Sequence, residues 1–361
     1  MVVASQLMQL TRRQFTARLS LTVLGVISSS KVNAMSTPPE SSFLLGTTFS
    51  QLQCSYLGLD YQDTFQRLCE VGFDRIRLCS YWNEIEAVEN QYDFKTIDWL
   101  LEESDRRTVK VVLTVGMKAP RYPEFHFPRW LEAYYDTRAS EKPMDSNPAI
   151  ADLTLKLIDA VVSHVRDASS LHYWQVENEP FVRFEITGGR SISPEFVQQE
   201  VKLVRSRARS QQKILLTAGI HLPHPQPEDD QAFQASRKLA DAVGINVYAK
   251  VPDGKQSYLQ PSEAYWRKLQ IWQQVLSDDR KESWIAEAQA EPWEPGELVP
   301  VRKLNYPSSS PLQASELVRS VAALGYRSVM LWGCEYWDWN QKKGRSHWWD
   351  AMQNLAQFRN A

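Results

Sequence analysis

Two runs in this sequence end in residues that do chemistry. "WQVENEP" (174–180) places Glu177, Asn178 and Glu179 at the close of an apolar stretch, and "SWIAEAQAEPW" (283–293) carries Glu287, with Glu291 ahead of a proline. Strands favour aromatic and β-branched residues, and carboxylates are seldom buried without a partner. Two carboxylates facing each other across a cleft can cleave an acetal: one protonates the leaving oxygen, and the other attacks the anomeric carbon or activates water. That division of labour needs one group protonated and the other ionised near neutral pH. Arg77 in "FDRIRLC" and Tyr248 in "VGINVYA" can hold Glu287 ionised, because a nearby cation or hydrogen-bond donor favours the charged form. Glu177 is read as a buried support for Glu179, and Glu291 as the rival of Glu287 for the nucleophilic role.

Such residues must be delivered to one place by the elements that carry them. From Phe43 onward strand-like runs alternate with helix-like ones, giving roughly eight strand-and-helix units in about 320 residues, the number and length of a (β/α)8 barrel. The fold class expected is therefore α/β, a single (β/α)8 TIM barrel. An open doubly wound sheet is the alternative, but no GxGxxG or GxxxxGK[ST] follows the first strand. In a barrel the C-terminal strand ends share one mouth. There the sequence would place Arg77, Trp82, the loop "GMKAPRYPEFHFPRW" (116–130), Asn178, Glu179, His221, Asn246, Tyr248, Glu287, Trp332 and the "EYWDW" run from Glu335. His221 has two open readings, a substrate contact or a loop cap.

Taken in this order, the residues resemble the retaining glycoside hydrolases of clan A, with barrels of the family 42, 35 and 5 type. "NEP" is similar to the clan's fourth strand end, and "WIAEAQAEPW" to its seventh. The second unit, with an Arg-bearing strand, a Trp and an acidic Tyr/Phe-containing run, also looks like the clan's. The resemblance implies Glu179 as acid/base and Glu287 as nucleophile. It also implies Asn178 on the sugar 2-hydroxyl, Arg77 and Tyr248 at Glu287, and Trp332 as the floor under the reacting sugar; Trp82 and His221 complete the expected binding residues. The function expected is an exported retaining β-glycoside hydrolase. A non-catalytic carbohydrate-binding barrel and a transglycosylase using the same site are the alternatives.

The remaining features narrow the field. A net charge of −2 with no basic block gives no footprint for nucleic acid, and a carbohydrate is the partner expected. Cys54, Cys69, Cys79 and Cys334 form no CxxC pair and have no histidine at metal-ligand spacing, so neither a metal nor any other cofactor is expected. Residues 1–34 have the layout of an export signal: Arg12 and Arg13 precede the apolar run "LSLTVLGVI", and "VNA" ends at Ala34. The paired arginines resemble a twin-arginine signal. The run is too short for a stable membrane span. Residues 35–361 are then the catalytic barrel, and the exported product is expected in the periplasm or outside the cell.

Overall fold

A computed structural model describes residues 43–358 apart from 139–141, 185–186, 256 and 298–299; the expected export signal lies outside them. Ten strands are present among the described residues: β1 (Leu44–Thr48), β2 (Arg75–Cys79), β3 (Lys110–Val115), β4 (Leu171–Val176), β5 (Lys213–Ala218), β6 (Ala242–Val247), β7 (Val251–Pro252), β8 (Tyr258–Leu259), β9 (Glu282–Gln289) and β10 (Ser328–Trp332). Eight of them close a parallel barrel in the order β1-β2-β3-β4-β5-β6-β9-β10, while β7 and β8 form a small antiparallel hairpin after β6. The expected (β/α)8 barrel is thus the fold.

Parallel strands covered by helices are buried on both faces, so they read as apolar runs rather than as alternation. β2 and β6 are buried at every position. The helices begin where local chemistry supplies caps. Asn147, Ser193, Ser262 and Ser310 each accept a backbone N–H at the start of Pro148–Val165, Pro194–Arg207, Glu263–Asp278 and Pro311–Ala323. Such caps satisfy amides that have no partner within the helix.

The interior of the barrel has two unlike ends. Toward the strand starts, Val112, Tyr173, Leu215, Ala242, Trp284 and Met330 pack together, with the Arg75 guanidinium over the Trp284 ring at 4.4 Å. Gly46 fits here because a Cβ would sit 2.4 Å from the Arg75 carbonyl oxygen and 2.6 Å from Met330 Sδ. Toward the strand ends the lining becomes polar. The strand ladder is irregular in β9: Ile245 pairs with Ile285 but Asn246 pairs with Glu287, so Ala286 is an extra residue against β6. A bulge of this kind re-aims the side chain that follows it.

Four short helices went unanticipated. Gln51–Leu57 is capped by Ser50 and stopped at Gly58 (φ 66°), and Trp82–Ile85, Arg129–Tyr134 and Cys334–Lys342 follow strands or loops directly. The last corrects the reading of "EYWDW" as mouth residues. Those side chains sit on a helix, where Tyr336 and Trp337 are buried and the Trp337 indole donates to the Ala290 carbonyl at 2.6 Å. All four cysteines are free thiols, three of them buried.

Candidate active site

The end of β4 is where the backbone departs from regular geometry. Pairing stops at Val176, and Glu177 (φ 59°) and Glu179 (φ 44°) then adopt left-handed conformations on either side of Asn178. Non-glycine residues held there cost about 1–3 kcal/mol each and persist only where the surroundings over-determine them. Here every amide of the curl is held: Glu177 N–H donates to Val115 O (2.9 Å), Asn178 N–H to Lys118 O (2.8 Å) and Glu179 N–H to Thr217 Oγ1 (2.8 Å). The Glu177 carboxylate accepts the Met117 and Lys118 amides at 2.8 and 2.6 Å, which fixes the start of the β3 loop. Gly116 permits this, since a Cβ there would lie 2.1 Å from Glu177 Oε1. Glu177 is the expected support.

Glu287 is held from two sides. Arg77 Nη2 donates to its Oε1 at 2.7 Å, and the Tyr248 hydroxyl to its Oε2 at 2.6 Å. Arg77 also donates to Thr48 Oγ1 (2.9 Å) and Gln175 Oε1 (3.1 Å), so the guanidinium is anchored by β1 and β4 while it serves β9. The Gln175 amide in turn donates to Glu177 O and Asn178 Oδ1, linking the surroundings of Glu287 to the β4 curl. Glu179 lacks such donors. Burial first, then the charges of Glu124 and Glu287, push its carboxyl up to about 8, against the opposing influence of Lys118 and the Asn246 amide. The acid form of Glu179 is thereby favoured over that of an ordinary carboxyl.

A cleft at this end is lined by Glu287, Tyr248, Trp332, Trp293, Glu124, Arg121, Tyr122, Gln53, Glu291, Pro292 and Glu297. The Arg121 guanidinium lies over the Trp332 ring at 4.0 Å and binds both Glu291 and Glu335, whose second oxygen accepts the Ser50 amide at 2.5 Å. Glu291 is thereby committed to Arg121, while Glu287 alone has the Arg77 and Tyr248 pair.

The expected site residues fall into four groups. Glu179, Glu287, Asn178, Tyr248 and Trp332 gather at the strand ends. Arg77 is fully buried behind Glu287, so it acts on that carboxylate and does not touch a ligand. Trp82 requires correction as a binding residue. It is fully buried against Phe127 and Trp130 with its indole N–H on Glu86, because the chain turns into a helix at that point and drives the ring into the core. His221 is tied by Nδ1 to Asp229 at 2.7 Å and packs on Phe184, which agrees with its loop-capping reading. Sequence reasoning assigned no role to Gln175, Thr48 and Thr217, since short polar residues inside apolar strands carry no motif. Among the described residues no cluster of three or more histidine, cysteine or acidic side chains is arranged to hold a metal ion.

Comparisons with known proteins fit this arrangement. Residues 59–196 match the profile of glycoside hydrolase family 42, described as β-galactosidase. Over this stretch the chain is similar to barrels of the clan A glycoside hydrolase type. β-Galactosidase BgaA of Clostridium cellulovorans is 23% identical over 123 residues, which cover 32% of this chain and 18% of that protein. The cold-adapted β-galactosidase of Rahnella sp. R3 superposes with a TM-score of 0.61 at 11% identity, covering 89% of this chain and 56% of that one. A GH5_18 protein from Bifidobacterium longum subsp. longum, solved with Manβ1-4GlcNAc, gives 0.60 at 12% identity and covers 88% and 79%. The chain therefore spans only a small part of the curated relative and about half of the β-galactosidase structures it resembles.

Proposed function

We propose that this protein is a retaining β-glycoside hydrolase with Glu287 as nucleophile and Glu179 as acid/base. The observation that carries the reading is the difference between the two carboxylates: Glu287 is held by two donors, and Glu179 is buried without them, which raises its carboxyl. In the first step Glu287 attacks the anomeric carbon while Glu179 gives its proton to the departing oxygen, leaving a glycosyl ester on Glu287. Esterification removes the charge of Glu287, one of the three causes that raise the Glu179 carboxyl. Glu179 then stays ionised more readily and takes a proton from the water that attacks the ester, restoring both groups with the β configuration. Asn178 Oδ1 is occupied by Gln175, so its amide N–H is the group left for the sugar 2-hydroxyl. Trp332, braced by Arg121, offers its ring to the apolar face of the sugar.

The β-galactosidase relatives make a β-galactoside the first substrate to try. Turnover of aryl β-glycosides by the purified chain, with product anomer read by NMR, tests the reading. Glu287→Ala and Glu179→Ala are each expected to lose about 10⁴-fold or more in kcat, with azide rescuing Glu179→Ala as a β-azide and Glu287→Ala as an α-azide. Either variant retaining wild-type turnover would sink the assignment. Export is part of the proposal, resting on Arg12, Arg13 and the apolar run that follows. Replacing both arginines with lysine should retain the chain in the cytoplasm on cell fractionation.

A further inference from the structure

The mouth holds a third carboxylate to which the two-glutamate mechanism gives no work. Glu124 lies in the loop between Met117 and Pro128, in a left-handed conformation (φ 66°) fixed by its own N–H on Arg121 O (2.7 Å) and by Ala119 N–H on its carbonyl (2.9 Å). A bridge between Lys118 and Phe125 closes the loop beneath it. Its side chain lines the same cleft as Glu287, Tyr248 and Trp332. The Lys118 ammonium, fully buried, approaches Glu124 Oε2 at 3.2 Å while donating to the Glu179 carbonyl at 2.8 Å. Oε2 is thereby turned inward, buried beside Lys118 without an aligned hydrogen-bond donor, and Oε1 is the oxygen left toward the cleft, with no hydrogen-bond donor among the described residues. A largely buried carboxylate oxygen in this state is costly unless something supplies the donor.

We propose that Glu124 is a specificity-determining residue of the cleft, held by Lys118 through Oε2 and accepting through Oε1 a hydrogen bond from a hydroxyl of a neutral sugar bound over Trp332 and against Glu287. The proposal rests on the glycoside hydrolase reading and names its substrate class. A lone charge-balancing role for Lys118 would not require the carboxylate to line the cleft. The surrounding charge excludes an acidic sugar. Glu124, Glu287, Glu291 and Glu297 line the cleft, and the cations beside them are already engaged: Lys118 with Glu124, Arg77 with Glu287, and Arg121 with Glu291 and Glu335. A glycuronic acid would find an excess of carboxylates and no unengaged cation among the lining residues.

The test is steady-state kinetics of the full chain and of Glu124→Gln on the 2,4-dinitrophenyl β-glycosides of galactose, glucose, mannose and glucuronic acid. It continues with the single-deoxy analogues of the best neutral substrate. Glu124→Gln is expected to lower kcat/KM on the parent glycoside by about 10- to 150-fold, the worth of a hydrogen bond to a charged group. On one deoxy analogue wild type and variant should become equal, because the hydroxyl that Glu124 reads is gone; wild type should leave the glucuronide intact. Glu124→Asp keeps the charge opposite Lys118 but withdraws the oxygens, and carries the same expectation should the Gln variant fail to fold in thermal melts. The proposal is overturned if a folded variant matches wild type, if it loses the same factor on every deoxy analogue, or if the glucuronide is the preferred substrate. A wild-type chain inert on all four glycosides overturns the hydrolase reading and this proposal together, whereas an active chain indifferent to Glu124→Gln overturns this proposal alone.

Discussion

Arg75 and Arg77 stand two residues apart on one strand, and both are buried in the barrel. Their surroundings have nothing else in common. Arg77 has a partner for each nitrogen: Thr48 on Nε, Gln175 on Nη1 and Glu287 on Nη2. Arg75 lies over Trp284 and Tyr173, with Nε and Nη1 lacking hydrogen-bond partners and burial lowering its basicity. Aromatic faces stabilise a cation without directing it, whereas three hydrogen bonds fix where a charge points. The lower arginine is packed and the upper one is aimed, which matches the division of a barrel between a stability end and a site end.

The contrast breaks most sharply at the upper position. Arg77→Met leaves Glu287 buried with Tyr248 alone, and removing one partner of a buried ion pair costs about 3–5 kcal/mol. Kinetics and denaturant unfolding should both record the loss, with kcat reduced by about 10²-fold or more if the charge acts on the nucleophile. An Arg77→Met enzyme with unchanged kcat would place Arg77 on the same footing as Arg75. Next in size, Tyr248→Phe removes one hydrogen bond to the same carboxylate and is expected to lower kcat/KM by about 10- to 150-fold.

A pH titration sharpens the picture of the opposite carboxylate. In the proposed mechanism Glu179 acts in its protonated form, and its carboxyl is raised to about 8, so kcat/KM should fall as pH rises through about 8, roughly tenfold per unit beyond it. The same direction governs folding. Burial raises Glu177, to about 7, together with Glu200 and Glu335, so these groups and Glu179 hold more protons in the folded chain than in the unfolded one between the ordinary carboxylate range and about pH 8, outnumbering His126, which burial lowers to about 4 and which acts in the opposite sense. Stability contributed by these groups is present at low pH and declines across that window as pH rises. Thermal melts at pH 5 and 8 check it, and a higher melting temperature at pH 8 would contradict it. The smallest effect is expected at the lower arginine. Arg75→Met exchanges an incompletely bonded buried cation for an apolar chain, a change that falls within about 2 kcal/mol once the lost ring contacts are counted. Its kcat/KM should equal that of wild type.

The order of strands and helices was legible because each barrel strand is a short apolar run and several of the long helices open on a capping residue. Arg77, Tyr248 and Glu287 were legible as a group because polar side chains near the end of an apolar run have few structural uses. Trp82 was not, since an aromatic residue just past a strand end looks the same whether it faces the mouth or turns inward on a helix. The helix after β10 escaped for a related reason: Gly333 begins it without a side-chain cap, so nothing in "GCEYWDW" announces a turn of backbone. Glu124 was visible only as one polar residue in a proline-rich loop. Its importance comes from a left-handed conformation and a lysine six residues away, neither of which composition encodes.

The extra residue at Ala286 sets the parity of the strand that carries Glu287. Side chains on a regular strand alternate, so deleting one alanine would leave the apolar run almost unchanged to the eye and yet turn the carboxylate through half a period, away from Arg77 and Tyr248. A related barrel lacking the bulge must carry its equivalent glutamate one position out of step. Gapless alignment across this strand would then match that catalytic residue with a neighbour that faces the wrong way.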